Sequence, residues 1–115
     1  MADVLELEEI GAAQVAFRNA NETIQASADS FTVLGPIPFV CECPNRACAD
    51  IVRLTFDEYE AIRQHPRRFF NITGHERPSV KAGAERIITV IQQLTIVEKL
   101  GVAGQIATKT YPRHT

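Results

Sequence analysis

Apolar residues recur at seven-residue intervals along the N-terminal segment, at Ile10, Phe17, Ile24 and Phe31. Ala13 and Ala20 follow the first two of these by three positions, and no proline occurs before residue 35. A seven-residue repeat of this kind is typical of an amphipathic helix that packs one stripe against a partner. We therefore predict a helix within residues 1–33. Its stripe could cover the remainder of the same chain, or it could pair with a protein partner or a second copy.

The helical pattern ends at Gly35, Pro36 and Pro38, so a compact domain is expected over residues 34–115. The stretch "PFVCEC" and the alternating residues Asp50–Leu54 predict two short strands. Thr55 and Glu58 have the spacing of a capping box, which predicts a short helix after the second strand. This helix places Phe56, Tyr59 and Ile62 on one face, and Pro66 ends it.

The C-terminal half predicts further strands. Phe69–Ile72 is expected to be a strand, followed by a turn at Gly74. Pro78 is expected to end this segment. The segment "ERIITVIQQLTIVEKL" fits a helical face, a hairpin or a single strand, and its many Ile, Val and Thr residues favour β structure. A last short helix begins at Gly101, and "YPRHT" is expected to be a tail. The predicted fold is α+β: an N-terminal helix, then a small domain with an antiparallel sheet and short helices.

Composition narrows the class of protein. The chain has 115 residues, of which 45% are hydrophobic and 23% charged, as expected of one ordinary globular domain. A net charge of −2 provides no general attraction to phosphates, so nucleic acid is an unfavoured partner. The N-terminus is acidic where a secretory signal is basic, and no apolar run reaches the length of a membrane span. We expect a cytoplasmic protein with no membrane contact.

All three cysteines, Cys41, Cys43 and Cys48, lie in the stretch "FVCECPNRACADI". An odd number of thiols in a reducing compartment argues against a disulfide framework and leaves metal binding, or three buried or free thiols. Zinc prefers thiolates together with imidazole, usually with four ligands. Carboxylates at Glu42, Asp50 and Glu76 are further candidates for the fourth ligand, beside three histidines: His65, His75 and His114.

Among the histidines we favour His75, because it follows Gly74 in a turn after a predicted strand. His65 lies at a helix end before Pro66, and His114 lies in the expected tail. The predicted zinc ligands are Cys41, Cys43, Cys48 and His75. An iron–sulfur cluster is a less favoured alternative, because the known Cys3His cluster motif holds its third Cys and its His close together on one loop. Four protein ligands leave no open position, so the zinc is expected to be structural and the protein not an enzyme.

Two other groups could contribute to function. Glu76 could orient the ring of His75 or act as an acid or base, although a solvated surface carboxylate is the more ordinary interpretation. Arg63, Arg67 and Arg68 lie near two phenylalanines, a basic and aromatic combination that can bind nucleic acid. The overall acidity favours a plain structural role for these arginines instead.

Residues 39–113 resemble a family of small, functionally unnamed bacterial proteins, largely actinobacterial. The shared pattern is F-x-C-E-C-x4-C, then L-T-x-x-E-Y-x-x-x-R, then F-x-x-x-x-G-H-E, then V-x-E-K and a final P-R. This chain departs from it at Pro44, where Gly is common, and at "NIT", where Val and Pro are usual. The resemblance implies that His75 is the distant partner of the cysteines, and it brings no established activity.

The function expected from these observations is that of a small cytoplasmic zinc-binding regulatory or adaptor protein that acts through protein–protein contacts. A thiol- and zinc-based redox switch is one alternative, because oxidation of a ligand cysteine releases the metal. A nucleic-acid-binding module using Arg63, Arg67 and Arg68 is another.

Overall fold

The computed structural model describes residues 4–30 and 35–113 and has the expected α+β fold. The N-terminal helix α1 spans Val4–Ser30. The strands are β1 (Ile37–Val40), β2 (Ile51–Leu54), β3 (Arg68–Ile72), β4 (Glu85–Ile91) and β5 (Leu94–Lys99). The shorter helices are α2 (Phe56–Arg63), α3 (Arg77–Lys81) and α4 (Gly101–Lys109). None of the helices in these two ranges combines the length and apolar character that a membrane crossing requires.

The strands form two antiparallel sheets. Strands β1 and β2 pair as a hairpin, and the second sheet has the order β3-β5-β4. The ambiguous segment is a hairpin, with Gln92 and Gln93 forming the turn between β4 and β5. Gln92 has a φ of 54°, the positive value that a tight hairpin turn requires. The preference for β structure in this segment is confirmed.

An aromatic cluster joins the two sheets through α2. The rings of Phe39 and Tyr59 stack with centroids 4.3 Å apart, and Phe70 meets both edge-on. Helix α2 is held at its start by the predicted capping box, in which Thr55 accepts from the Glu58 N–H and the Glu58 carboxylate accepts from the Thr55 N–H. The core therefore lies between β1, α2 and β3, directly beside the cysteines.

Helix α1 is present as predicted, but the predicted stripe is not the face that it buries. Ile10, Phe17 and Ile24 are only half-buried, and Ala20 is exposed. Ala13 of the predicted stripe is buried, at 3% exposure, but the other buried residues lie one position further along the chain and keep the same seven-residue repeat: Gly11, Gln14, Arg18, Asn21, Gln25 and Ala28. We refer to these six residues as the polar seam, and it packs onto the same chain.

Hydrogen bonds to distant segments explain how polar residues are buried in this seam. The Asn21 side chain donates to the Val40 carbonyl at 2.9 Å and accepts from the Val40 N–H at 2.8 Å, as a neighbouring strand would. Arg18 donates to the Ala107 carbonyl at 3.0 Å and to the Thr110 hydroxyl at 2.9 Å. Gly11 faces α4, where a Cβ would lie at ordinary contact distance, 3.5 Å from Ile106 Cδ1 and 3.6 Å from Ala103 Cα. The helix is thus positioned by specific polar contacts.

Two local expectations were wrong. Pro78 does not stop a segment but lies in the first turn of α3, where its missing N–H would have had no helical partner. The stretch after α4 is not a loose tail, because the Tyr111 hydroxyl donates to the Arg63 carbonyl. Arg113 also forms ion pairs with Glu22 and Glu60, at 2.9 and 2.7 Å. His114 and Phe31 lie outside the described residues.

Candidate metal centre

Cys41 and Cys43 reach the site because the chain stays extended beyond β1. The Cys41 N–H donates to the Asp50 carbonyl at 3.0 Å and prolongs the β1–β2 hairpin by one step. In extended backbone, alternate side chains point to opposite faces. Cys41 and Cys43 consequently lie on one side, each 1% exposed, while Glu42 points to the other.

A turn in the following loop returns Cys48 to the same place. The Asn45 carbonyl accepts from the Cys48 N–H at 3.0 Å, and the Asn45 side chain accepts from the Ala47 N–H at 3.0 Å. Asparagine commonly stabilises a turn in this way, by bonding the backbone two residues further on. Cys48 remains partly exposed, so it is the accessible member of the three.

His75 comes from the turn that ends β3. The His75 N–H donates to the Ile72 carbonyl at 3.0 Å, and Gly74 between them has a φ of 103°. Glu76 is 4% exposed and accepts from the Gly74 N–H at 3.1 Å. The expectation that Glu76 is a solvated surface carboxylate is therefore wrong. It holds the turn that carries His75, without a hydrogen bond to the ring itself.

The four predicted residues meet at one point. One ligand atom from each of Cys41, Cys43, Cys48 and His75 lies within 4.8 Å of all the others. His75 Nδ1 is 3.5 Å from Cys41 Sγ and 3.8 Å from Cys48 Sγ. Tetrahedral zinc with bonds of about 2.3 Å to sulfur and about 2.0 Å to nitrogen separates its ligand atoms by roughly 3.5 to 3.8 Å. These four residues can hold a metal ion.

The remaining candidate ligands lie elsewhere or have other contacts. His65 is exposed and does not join the cluster. Asp50 lies beside the site, with Oδ2 3.7 Å from His75 Nε2 and 3.8 Å from Cys48 Sγ. A carboxylate near the outer nitrogen of a ligand histidine helps to orient the ring. Asp50 thus has the position that sequence reasoning considered for Glu76.

Hydrogen bonds among the thiols determine which of them ionises first. The Cys41 thiol donates to Cys43, which lowers the pKa of Cys43 to about 5 and raises the pKa of Cys41. Burial raises the pKa of Cys48. The Ile72 N–H also donates to Cys41 Sγ, at 3.3 Å. Since a metal binds thiolates, we expect metal binding to release protons from Cys41 and Cys48.

Glu42, between two of the cysteines, anchors the loop to the core. It is fully buried, forms an ion pair with Arg63, and accepts from the Asn21 side chain at 2.8 Å. The Phe70 N–H donates to it at 3.3 Å. Glu42 was considered as a metal ligand and Arg63 as a nucleic-acid contact. The structure instead buries the two side chains against each other.

The three arginines of the predicted basic cluster, Arg63, Arg67 and Arg68, differ in burial. Arg63 is fully buried, and Arg68 is half-buried with its Nε enclosed and lacking a hydrogen-bond partner. Arg67 is exposed, and its Nε donates to the Thr108 hydroxyl at 3.0 Å. The three arginines do not form one exposed patch that could follow a phosphate backbone.

Searches with this chain against protein-family models, curated proteins and solved structures find no match. The resemblance to a bacterial family stays a prediction, and the metal centre rests on its own geometry.

The positive φ of Gly74 leads to a prediction about metal affinity. A Cβ at Gly74 would meet nothing closer than Arg77 Cζ at 3.9 Å, so Gly74→Ala should cost only backbone strain, about 1–3 kcal/mol. Because the strained turn carries His75, metal binding should weaken as well. Isothermal titration with zinc and urea unfolding would measure the two effects.

Gly83→Ala is the matched control. Gly83 also has a positive φ, of 76°, with no atom within 4 Å of its would-be Cβ, and it lies outside the metal cluster. It should lose similar stability and keep native zinc affinity. Equal zinc affinities in the two variants would contradict the assigned role of the Gly74 turn.

Proposed function

We propose that the chain is a small zinc-binding regulatory or adaptor protein in which zinc is structural. The observation that carries the proposal is the convergence of three thiols and one imidazole nitrogen within 4.8 Å. Soft thiolates with imidazole are the donors that zinc prefers, and four of them complete its tetrahedral shell. With no position left for water or substrate, a structural role is favoured over a catalytic one.

A single ion fits this arrangement better than an iron–sulfur cluster. A two-iron cluster divides its four ligands between two metal atoms. Here each ligand atom lies within 4.8 Å of every other, as expected around one centre. The centre also connects three segments that are far apart in sequence: the end of β1, the loop at 44–50, and the turn after β3.

The adaptor part of the proposal is supported by exposed apolar side chains. Leu5, Val90 and Ile91 are exposed by 71%, 51% and 56%. Val90 and Ile91 are adjacent on β4, whereas Leu5 belongs to α1, and exposed apolar patches are typical of sites that another protein covers. A regulatory or adaptor protein would use such a surface to bind its partner.

Elemental analysis of protein purified without added metal tests the zinc assignment. We expect one zinc per chain in the native protein and in Ala49→Ser, a control at an exposed position beside Cys48. Cys43→Ser should lose the zinc. Protein with no bound metal, or with two irons per chain, would refute the assignment.

A redox switch is a second candidate, favoured by the partial exposure of Cys48. One peroxide molecule would oxidise two ligand thiolates to a disulfide, and with two protons would itself be reduced to two waters, releasing the zinc. Zinc release under mild peroxide, together with a change in oligomeric state, would distinguish the switch from a static site. A static site would keep its zinc.

A further inference from the structure

The arginines that are buried or half-buried differ in what their guanidinium groups bind. Arg18, Arg63 and Arg113 each donate hydrogen bonds to other groups of the chain. Arg68 is half-buried with its Nε enclosed, yet its side chain has no hydrogen-bond partner among residues 4–30 and 35–113. Buried donors are almost always paired. The Arg68 guanidinium therefore lacks the acceptor that a group in its position normally has.

The carboxylate that faces Arg68 across the sheet is bound to another arginine. Glu98 lies opposite Arg68 in the pairing of β3 with β5. Its Oε2 accepts from Nε and Nη2 of Arg86, at 2.9 and 2.6 Å. Within the described part of the chain, Arg68 forms no ion pair of its own. Its positive charge is thus available to an anion from outside the chain.

Arg68 lines an apolar cleft beside α2. Alternate residues of a strand share one face of the sheet, and the register places Arg68 on the same face as Leu94 and Ile96. The cleft, of about 270 Å³, lies between α2 and this face, and its apolar walls are formed by Ile62, Ile88, Ile91, Leu94 and Ile96. An apolar cleft with a few polar groups is the usual composition of a small-molecule site.

We propose that this cleft binds a small aliphatic carboxylic acid. Its carboxylate accepts hydrogen bonds from the Arg68 guanidinium, and its hydrocarbon chain lies on the isoleucine and leucine side chains. Guanidinium and carboxylate fit each other as a two-pronged, charge-assisted pair, and burial of the hydrocarbon chain adds hydrophobic binding energy. The site uses none of the metal ligands and does not depend on the zinc assignment.

A second charged residue in the cleft limits the ligand to one negative charge. Glu58 also lines the cleft, and its carboxylate caps the start of α2. A carboxylate at this position repels a phosphate dianion more strongly than a singly charged carboxylate. The volume is close to the lower end of the range of small-molecule sites, about 300–1,000 Å³, which favours a short chain such as that of octanoate.

Isothermal titration of the full chain, as purified, with octanoate tests the proposal. We expect a dissociation constant on the order of 0.1 mM, which a ligand of this size can reach. Octanol, which lacks the charge, and octyl phosphate, which carries more of it, should each bind at least about tenfold more weakly. Arg68→Gln should weaken octanoate at least about tenfold and leave the affinity for octanol unchanged, an outcome that a merely structural role of Arg68 would not produce.

Arg67→Gln is the matched control. Arg67 is the exposed neighbour whose Nε donates to Thr108, and it does not line the cleft, so the variant should keep the native affinity for octanoate. Ala61→Trp tests the cleft without changing its charge. Ala61 is exposed and lines the cleft from α2, so the larger side chain should abolish binding of both octanoate and octanol while the native circular dichroism spectrum is kept.

Four results would overturn the proposal. They are a native chain that does not bind octanoate, octanol or octyl phosphate binding as tightly as octanoate, Arg67→Gln losing as much affinity as Arg68→Gln, and Ala61→Trp binding octanoate like the native chain. Zinc content measured on the same samples keeps these results separate from the zinc assignment.

Discussion

Cys43→Ser should unfold the domain at temperatures where the native chain remains folded, and this is the largest effect that we expect. Structural zinc provides roughly 10–16 kcal/mol of apparent binding free energy in small zinc domains, against a net stability of about 5–15 kcal/mol for ordinary domains. A serine hydroxyl does not ionise near neutral pH, so it cannot replace the thiolate. The loss of one ligand would remove much of the energy that closes the site.

Thermal unfolding followed by circular dichroism, with and without a strong chelator, measures this effect. Chelation should lower the native transition to that of Cys43→Ser, and the variant itself should not respond to the chelator. This comparison separates loss of metal from loss of a buried thiol, because Cys43 is also 1% exposed. Ala49→Ser should behave as native. An unchanged native transition in the chelator would refute a structural metal.

Loss of the metal should also weaken the packing of helix α1 against the segment that carries the cysteines. The polar seam directly holds the backbone of residues 40–43, the cysteine segment. Asn21 bonds the Val40 backbone, and Gln14 donates to the Glu42 carbonyl at 3.2 Å. Buried amides of this kind are stabilising only while their partners remain in place, since an unsatisfied buried group costs about 1–3 kcal/mol. Increased hydrogen exchange in α1 on chelation would be the local sign of the same event.

Sequence alone could predict the elements whose stabilising contacts are local. The helix α2 is an example, because Thr55 and Glu58 satisfy each other's backbone groups within one turn. The buried face of α1 could not be predicted, since Gln14 and Arg18 look like surface residues until Glu85 and Ala107 are brought beside them by the fold. The hydrophobic pattern of a sequence indicates where apolar side chains are buried. It gives no signal for buried polar side chains such as these.

The residues of the metal centre also differ in how directly the sequence could identify them. Three ligands lie close together in sequence, and their chemistry indicated the site directly, whereas the distant His75 depended on a turn signal at Gly74 and on a resemblance. The position of Glu42 between Cys41 and Cys43 is a usable signal for its role. In an extended stretch, a residue between two cysteines must face away from their metal, so its carboxylate had to find a partner in the core.

Glu42→Gln should cost about 3–5 kcal/mol, because it leaves the buried Arg63 guanidinium with only the more distant carboxylate of Glu22, 3.9 Å from Arg63 Nε, as a counter-charge. Glu42 and Arg63 are both fully buried, so water cannot compensate for the lost carboxylate. Glu98→Gln is the matched control, since it removes the same group from the more exposed pair with Arg86. That change should cost at most about 1 kcal/mol. Urea unfolding of both variants with zinc bound measures the difference.

The double variant Glu42→Leu with Arg63→Met distinguishes the origin of this cost. If the penalty is an uncompensated charge, replacing both partners by apolar residues should recover much of the stability lost in Glu42→Gln, as it often does for buried ion pairs. If Glu42 acts chiefly through its hydrogen bonds to Asn21 and Phe70, the double variant should be less stable than Glu42→Gln, whose one amide oxygen can still accept from one of the two donors. Glu42→Gln as stable as Glu98→Gln would contradict both explanations and show that the ion pair contributes little to holding the cysteine segment on the core.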